Sequence, residues 1–348
     1  EAVDNGLVRE NGAFKIIKGE QGIEVNVEDS IAAIENYISS EWDGGNAEIE
    51  LVAEVVEPRG SEEDLEQITD MMGSYTTNYK DSGQNRCDNI SNATSKINGT
   101  LLYPGEEFSV YEAIGPLDAA NGYELAGAYE NGQTVESYGG GVCQVSTTLY
   151  NAVILAELEI TQRSNHSMIV SYVKPSMDAA IAGDYKDLRF VNNQDIPIYI
   201  EGYTEGKNVT FKIYGHDTRP SNRVVTYESE VVSEQDPGTQ YVATGDPAGY
   251  MKTAQGKHIG YVARLWKVVT VDGVEESREI FNKSTYKASP KIVNVGTASA
   301  DPNVSAVIGA ALATGDEATI NAAVAPYAAS AAATVSYTHL TLPTTSRV

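Results

Sequence analysis

Between Tyr138 and His166 the chain reads YGGGVCQVSTTLYNAVILAELEITQRSNH, and this stretch leaves few ways for the surrounding residues to fold. Gly139, Gly140 and Gly141 run into Cys143, and the apolar residues Val145, Leu149, Ala152, Val153 and Ala156 then recur at helical spacing. The pattern predicts a flexible glycine loop that hands over to an amphipathic helix, with Cys143 in or just before the first turn. Backbone amides are unpartnered at a helix start and the macrodipole favours negative charge there, so a thiol is biased toward thiolate. His166 lies 23 residues further on, at the head of the strand-like run SMIVSYV. A cysteine at a helix start and a histidine on a following strand form a geometry in which imidazole can activate sulfur.

Plainer readings stand beside that one. A lone cysteine entering a helix is commonly a buried structural thiol, and Cys143 can also pair with Cys87 as a disulfide in an oxidising compartment. No metal site is expected, because the two cysteines and His166 lack C-x-x-C or H-x-x-x-H spacing. No cofactor is expected either: the three glycines can form a phosphate nest, but no preceding strand with G-x-G-x-x-G spacing supports a dinucleotide. His216 and His258 read as surface or interdomain residues.

The length of 348 residues corresponds to two or three domains at roughly 150 residues each. With 24 Lys and Arg against 49 Asp and Glu, the net charge of −25 argues against nucleic acid or an anionic membrane as partner. No apolar run of about 18 residues spans a membrane. Two cysteines exclude a disulfide framework. The acidity and the excess of Tyr (21) over Phe (5) suit an exported bacterial surface protein whose leader or anchor would lie upstream of Glu1.

Residues 1–74 read as a partial α+β unit. Ile31, Ile34 and Ile38 space a helix behind the capping candidates Asp29 and Ser30. Ala47–Val55 alternates as a half-buried strand. Ser61 and Asp64 resemble a capping box opening a helix through Leu65, Ile68 and Met72. Residues 75–220 combine the cysteine helix with strand-like segments at Met168–Val173, Asp187–Asn192, Pro197–Tyr203 and Val209–Gly215. That order predicts an α+β domain with a mainly antiparallel sheet. Residues 221–297 are long β-rich runs separated by glycines and predict an all-β module. Residues 298–334 are Ala-rich, consistent with a marginal helix or a tail. The last stretch, 335–348 with His339, resembles translated adaptor read-through and is set aside as non-native.

The runs LLYPGEEFSVYEAIGP, GGGVCQVSTTLYNAVILAELEI, RSNHSMIVSY and MDAAI resemble the VanW domain over about residues 75–217. Cys87 departs from that pattern. The resemblance implies an exported protein of a Gram-positive bacterium and, for some members, peptidoglycan L,D-transpeptidase activity. Carried over by motif, Cys143 is the nucleophile, His166 its general base and Asp178 the residue that orients His166. The amides around Val142 to Gln144 would hold the oxyanion, with Gln144 also offering its side-chain amide. Gly141 and Ser146 complete the candidate substrate-binding set, although Ser146 and Thr147 can equally cap the helix.

Residues 221–297 resemble the wall-binding module named for its five glycines. That resemblance implies cell-surface glycans, including N-acetylglucosamine polymers, as partners. Tyr241, Tyr250 and Tyr261 are candidate sugar platforms, or else ordinary cross-strand pairs. The N-terminal segment resembles the peptidoglycan-binding region that precedes VanW domains. Together these imply a cysteine-dependent acyltransferase acting on peptidoglycan stem peptides. The alternatives are a non-catalytic wall-binding protein and a cysteine peptidase or amidase on the same polymer.

Overall fold

In the computed structural model, which describes residues 1–130, 133–183 and 185–328, the cysteine helix runs from Val142 to Leu155 and is the central element. It lies on a four-stranded antiparallel sheet ordered Asp70–Asn78, Asn208–Gly215, Ile198–Glu205 and Thr100–Leu102. The helix and strand Asp70–Asn78 meet at Gly73, where a Cβ would fall 2.2 Å from the Ala152 carbonyl oxygen. Only glycine permits that approach, and it fixes the height of the helix over the sheet.

A second helix, Gln84–Ile97, packs beside the first, and their shared core includes Ile90, Val145, Leu149, Val153, Phe211 and Ile213. Each such side chain, fully withdrawn from water, contributes about 1.5–3 kcal/mol. The other face of the sheet is covered by the hairpin Gly6–Glu10/Ala13–Ile17, whose Phe14 stands edge-on to Tyr199 and Tyr214 at 5.3 and 5.2 Å. The architecture is therefore α+β, a helical layer and a hairpin on opposite faces of one sheet.

The N-terminal helix starts at Val27, and its cap is Asn26, which accepts from the Asp29 amide; the caps expected at Asp29 and Ser30 lie inside the first turn. Its isoleucine stripe is not packed: Ile31 and Ile38 are 51% and 53% exposed. The strand expected over Ala47–Val55 is confined to Ala53–Val56, paired only with Gly22–Val25, because no second layer covers it. Ser61 does cap a helix, accepting from the Asp64 amide, but that helix ends at Glu66. Met72 belongs to the following strand instead.

The C-terminal module is β-rich as expected. Arg223–Gln235, Gly260–Val271 and Val274–Tyr286 form one antiparallel sheet. Lys291–Ala298 lies between Thr239–Pro247, to which it is parallel, and Met251–Gln255. Where composition left helix and tail both open, Pro302–Thr314 and Glu317–Val324 are helices that pack Ile308, Ala311, Ile320 and Val324 onto Val293 and Val295. Tyr241 is half-buried against this cluster, and Tyr261 sits opposite Tyr286 in the strand register. The stretch 335–348, with His339, lies outside the described residues.

The module is pinned to the central domain by Glu157, which holds a left-handed backbone (φ 57°) just past the cysteine helix. Its carboxylate contacts Arg223, Lys267 and Arg219. Burial works against its charge, but these cations prevail and draw its pKa down to about 2. A folded pKa below the unfolded one means stability that is complete above the ordinary Glu range and is lost as pH falls toward about 2, up to about 3 kcal/mol by linkage. Glu157→Gln is accordingly expected to lower the thermal midpoint at neutral pH, with the gap to wild type closing as the melts are repeated at increasing acidity.

Candidate functional site

The cysteine helix is buried on every side, not amphipathic: of its residues only Cys143 and Leu155 retain appreciable exposure. The polar positions that look solvent-facing in sequence are instead bonded inward. Gln144 donates from Nε2 to Thr77 Oγ1 and the Asn78 carbonyl, both at 3.0 Å, and accepts from Arg86 at 2.8 Å. Thr147 Oγ1 exchanges hydrogen bonds with the Ala179 backbone, and Asn151 donates to the Met177 carbonyl. These bonds clamp the segment around Asp178 along the helix.

Gly141 is the N-cap, at φ 117°, and a Cβ there would lie 3.0 Å from Ile90 and 3.1 Å from Arg86. The glycine run is a tightly packed turn that delivers Cys143 to the floor of an open cleft of about 2110 Å³. That is larger than the usual small-molecule pocket and suits a segment of polymer.

His166 does not begin a strand. Residues 167–177 contain no regular strand and instead wrap the cleft, with Met168 and Val170 buried beneath them. The imidazole is set by Asp178, whose Oδ2 accepts from both His166 Nδ1 and the His166 amide at 2.7 Å. The Cys143 sulfur is close enough to the ring for each group to shift the protonation of the other. The Ile181 amide lies 3.4 Å from the same sulfur and donates to it. Cys143, His166 and Asp178 thus come together.

Burial opposes charge on all three. The hydrogen bond and positive charge of His166 nevertheless hold the Cys143 thiol below its usual range. Asp178 and then Cys143 hold the His166 imidazolium above its own, and the imidazolium with Arg163 keeps Asp178 ionised. The shifts of the sulfur and the imidazole both run in the direction of a thiolate–imidazolium pair backed by a carboxylate.

The oxyanion set expected at the helix start narrows. The Val142 amide donates to the Gly139 carbonyl and the Gln144 amide to the Gly141 carbonyl, so both are engaged, as is the Gln144 side chain. Ser146 faces away from the cleft: its hydroxyl is fully buried and has no hydrogen-bond partner among the described residues. Cys87 and Cys143 are free thiols, so the disulfide alternative is corrected. His216 and His258 lie outside the cleft.

Sequence reasoning passed over four groups that complete the site. Arg163 donates to Asp178 Oδ1 at 3.1 Å and to the Asp178 carbonyl at 2.7 Å; it stood in the RSNH run and carried no assignment. Tyr286 donates from its hydroxyl to Asp178 Oδ1 and accepts from the Ser176 amide. Lys287 lines the cleft, and its amide donates to the Ser167 carbonyl. Both residues come from the C-terminal module, so one wall of the cleft and one ligand of Asp178 lie more than a hundred residues beyond Cys143. Tyr172, in the wrapping segment, places its hydroxyl 3.5 Å from His166 Nε2.

The comparisons with known proteins fall along the same boundaries. Residues 85–214 match the family described as VanW like protein, and residues 226–298 match the G5 domain. The chain is 32% identical over 214 residues to the uncharacterized protein YoaR of Bacillus subtilis, covering 61% of this chain and 69% of that one. It is 30% identical over 118 residues to the vancomycin B-type resistance protein VanW of Enterococcus faecalis, covering 32% of this chain and 42% of that one. Among solved structures, an IgA1 protease G5 domain is 29% identical and is covered to 94%, with 22% of this chain and a TM-score of 0.17.

Proposed function

The chain belongs to the family of VanW-like proteins, and from that premise and the geometry of the cleft we propose that it is a cysteine-dependent acyltransferase acting on peptidoglycan stem peptides. A cell-wall role already follows from joining a VanW-like domain to a G5 domain; the chemistry is the further step. The observation that carries it is the His166 ring, fixed by Asp178, beside a sulfur that lines an open cleft.

In this reading the Cys143 thiolate attacks the amide carbonyl between the third and fourth residues of a stem. His166 passes its proton to the departing amine, D-alanine leaves, and a thioester remains. The side-chain amine of a second stem, deprotonated by His166, resolves the thioester as a cross-link. The charge of the cleft supports the substrate class. In a chain of net charge −25, Lys80, Arg86, Lys186 and Lys287 line it, against one acidic side chain among the described residues, Asp81. None of the four cations is ion-paired to a carboxylate among the described residues. Such a lining attracts the carboxylates that a peptide stem carries. The G5 domain is assigned to the glycan, including N-acetylglucosamine polymers, and the protein to the extracytoplasmic face.

The test is intact-protein mass spectrometry of the full chain incubated with purified muropeptides and quenched in acid. The expected adduct on the Cys143 peptide equals a stem lacking its terminal residue, and cross-linked products accumulate with time. Shortened stems without cross-links would make the protein a hydrolase. A folded chain that forms neither adduct nor product would leave a wall-binding protein.

A further inference from the structure

We propose that Tyr172 is a catalytic residue, its phenol donating the hydrogen bond that holds the oxyanion formed when Cys143 attacks a carbonyl. The inference rests on the reading of Cys143 as nucleophile and adds to it a group that neither spacing nor motif identifies. A tetrahedral intermediate needs donors aimed at its oxygen. Of the three amides at the helix start, those of Val142 and Gln144 are committed to backbone carbonyls, and the Gln144 side chain is committed to strand Asp70–Asn78. A further donor has to come from elsewhere on the cleft wall.

Tyr172 stands where one is needed. It lines the cleft, its ring is edge-on to the imidazole with centroids 6.4 Å apart, and its hydroxyl lies 3.5 Å from His166 Nε2. It also lies close enough to the sulfur to feel its charge. With His166 protonated, Nε2 has no lone pair to accept from Tyr172, which leaves the phenol hydrogen for another acceptor. Burial, followed by the nearby thiolate, holds the phenol well above its usual range, so it remains a donor throughout.

In the step itself a sulfur lone pair forms the C–S bond and the carbonyl π pair moves onto oxygen. The Tyr172 O–H donates to that oxygen and keeps its proton. On collapse the C–N bond breaks and the Nε2 proton leaves with the amine nitrogen.

Alkylation of Cys143 by iodoacetamide displaces iodide at a methylene carbon and creates no oxyanion, so it separates this role from any effect on the thiolate. Full-length Tyr172→Phe is expected to lower kcat for acyl transfer about 10²–10³-fold, with KM, the alkylation rate and the pH midpoint of alkylation as in wild type. Acyl transfer that survives the substitution would overturn the proposal. So would a parallel fall in alkylation, which would make Tyr172 a positioning residue for His166. Wild-type protein that alkylates normally and never acylates would fail the nucleophile reading itself and take the proposal with it.

Discussion

Cys143→Ala is expected to abolish cross-link formation, a loss of at least about 10⁴-fold, because no other nucleophile among the described residues of the cleft is paired with a base. The fold should survive. The side chain is half-buried at a helix end, so its truncation belongs with changes that cost about 1 kcal/mol or less. Cys143→Ser separates size from chemistry: the hydroxyl fits the same space, but His166 alone cannot ionise it as the thiol is ionised, and it should be nearly as inactive. The check is product formation followed by mass spectrometry beside a thermal melt. Cross-links made at the wild-type rate by a folded Cys143→Ala chain would place the chemistry elsewhere.

Asp178→Asn carries the second large effect. The carboxylate accepts from four groups: the His166 amide, His166 Nδ1, Arg163 and Tyr286. An amide of the same shape presents an NH₂ where an acceptor is needed, turns the imidazole to the wrong tautomer and no longer supports its charge. A fall of about 10³–10⁴ in kcat is expected. His166 should titrate at lower pH than in wild type, read by NMR of its ring proton, and an unmoved midpoint would mean that Asp178 does not sustain the imidazolium.

Asp178→Ala goes further, because it also removes the side-chain oxygen that asparagine would keep for the Arg163 guanidinium, only 7% exposed, and for the Tyr286 hydroxyl. Breaking a buried pair in this way costs about 3–5 kcal/mol. The alanine variant should therefore melt well below the asparagine one, although both are inactive.

What was legible in the sequence is local. The glycine turn, the helix start and the placement of Cys143 all follow from backbone freedom and spacing, and the long strands of the C-terminal module follow from alternation and glycine punctuation. His166 was singled out beside Cys143 as the head of a strand that the structure does not form, Asp178 came from motif resemblance, and no rule of spacing would have joined the two, since the segment between them has no regular element. The helix misled in a specific way. Gln144, Thr147 and Asn151 look like a wet face, and they are buried because Gln144 holds strand Asp70–Asn78 while Thr147 and Asn151 hold the segment around Asp178. Periodicity reports polarity and cannot tell water from a bonded backbone. Tyr286 and Lys287 were beyond reach for a further reason: they lie at and just past the end of a strand of another module, and only the docking of that module brings them to the cleft.

That docking has a thermodynamic consequence. Because Tyr286 and the Glu157 pin tie the working order of the cleft to the seating of the C-terminal module, the two sites share one equilibrium. Any ligand that binds the seated module more tightly than the displaced one raises the affinity of the cleft for its own ligand, and by reciprocity an occupied cleft tightens the module's hold by the same factor. A wall polymer gripped by the module would then serve as an effector as well as an anchor, and tension that unseats the module would switch the cleft off.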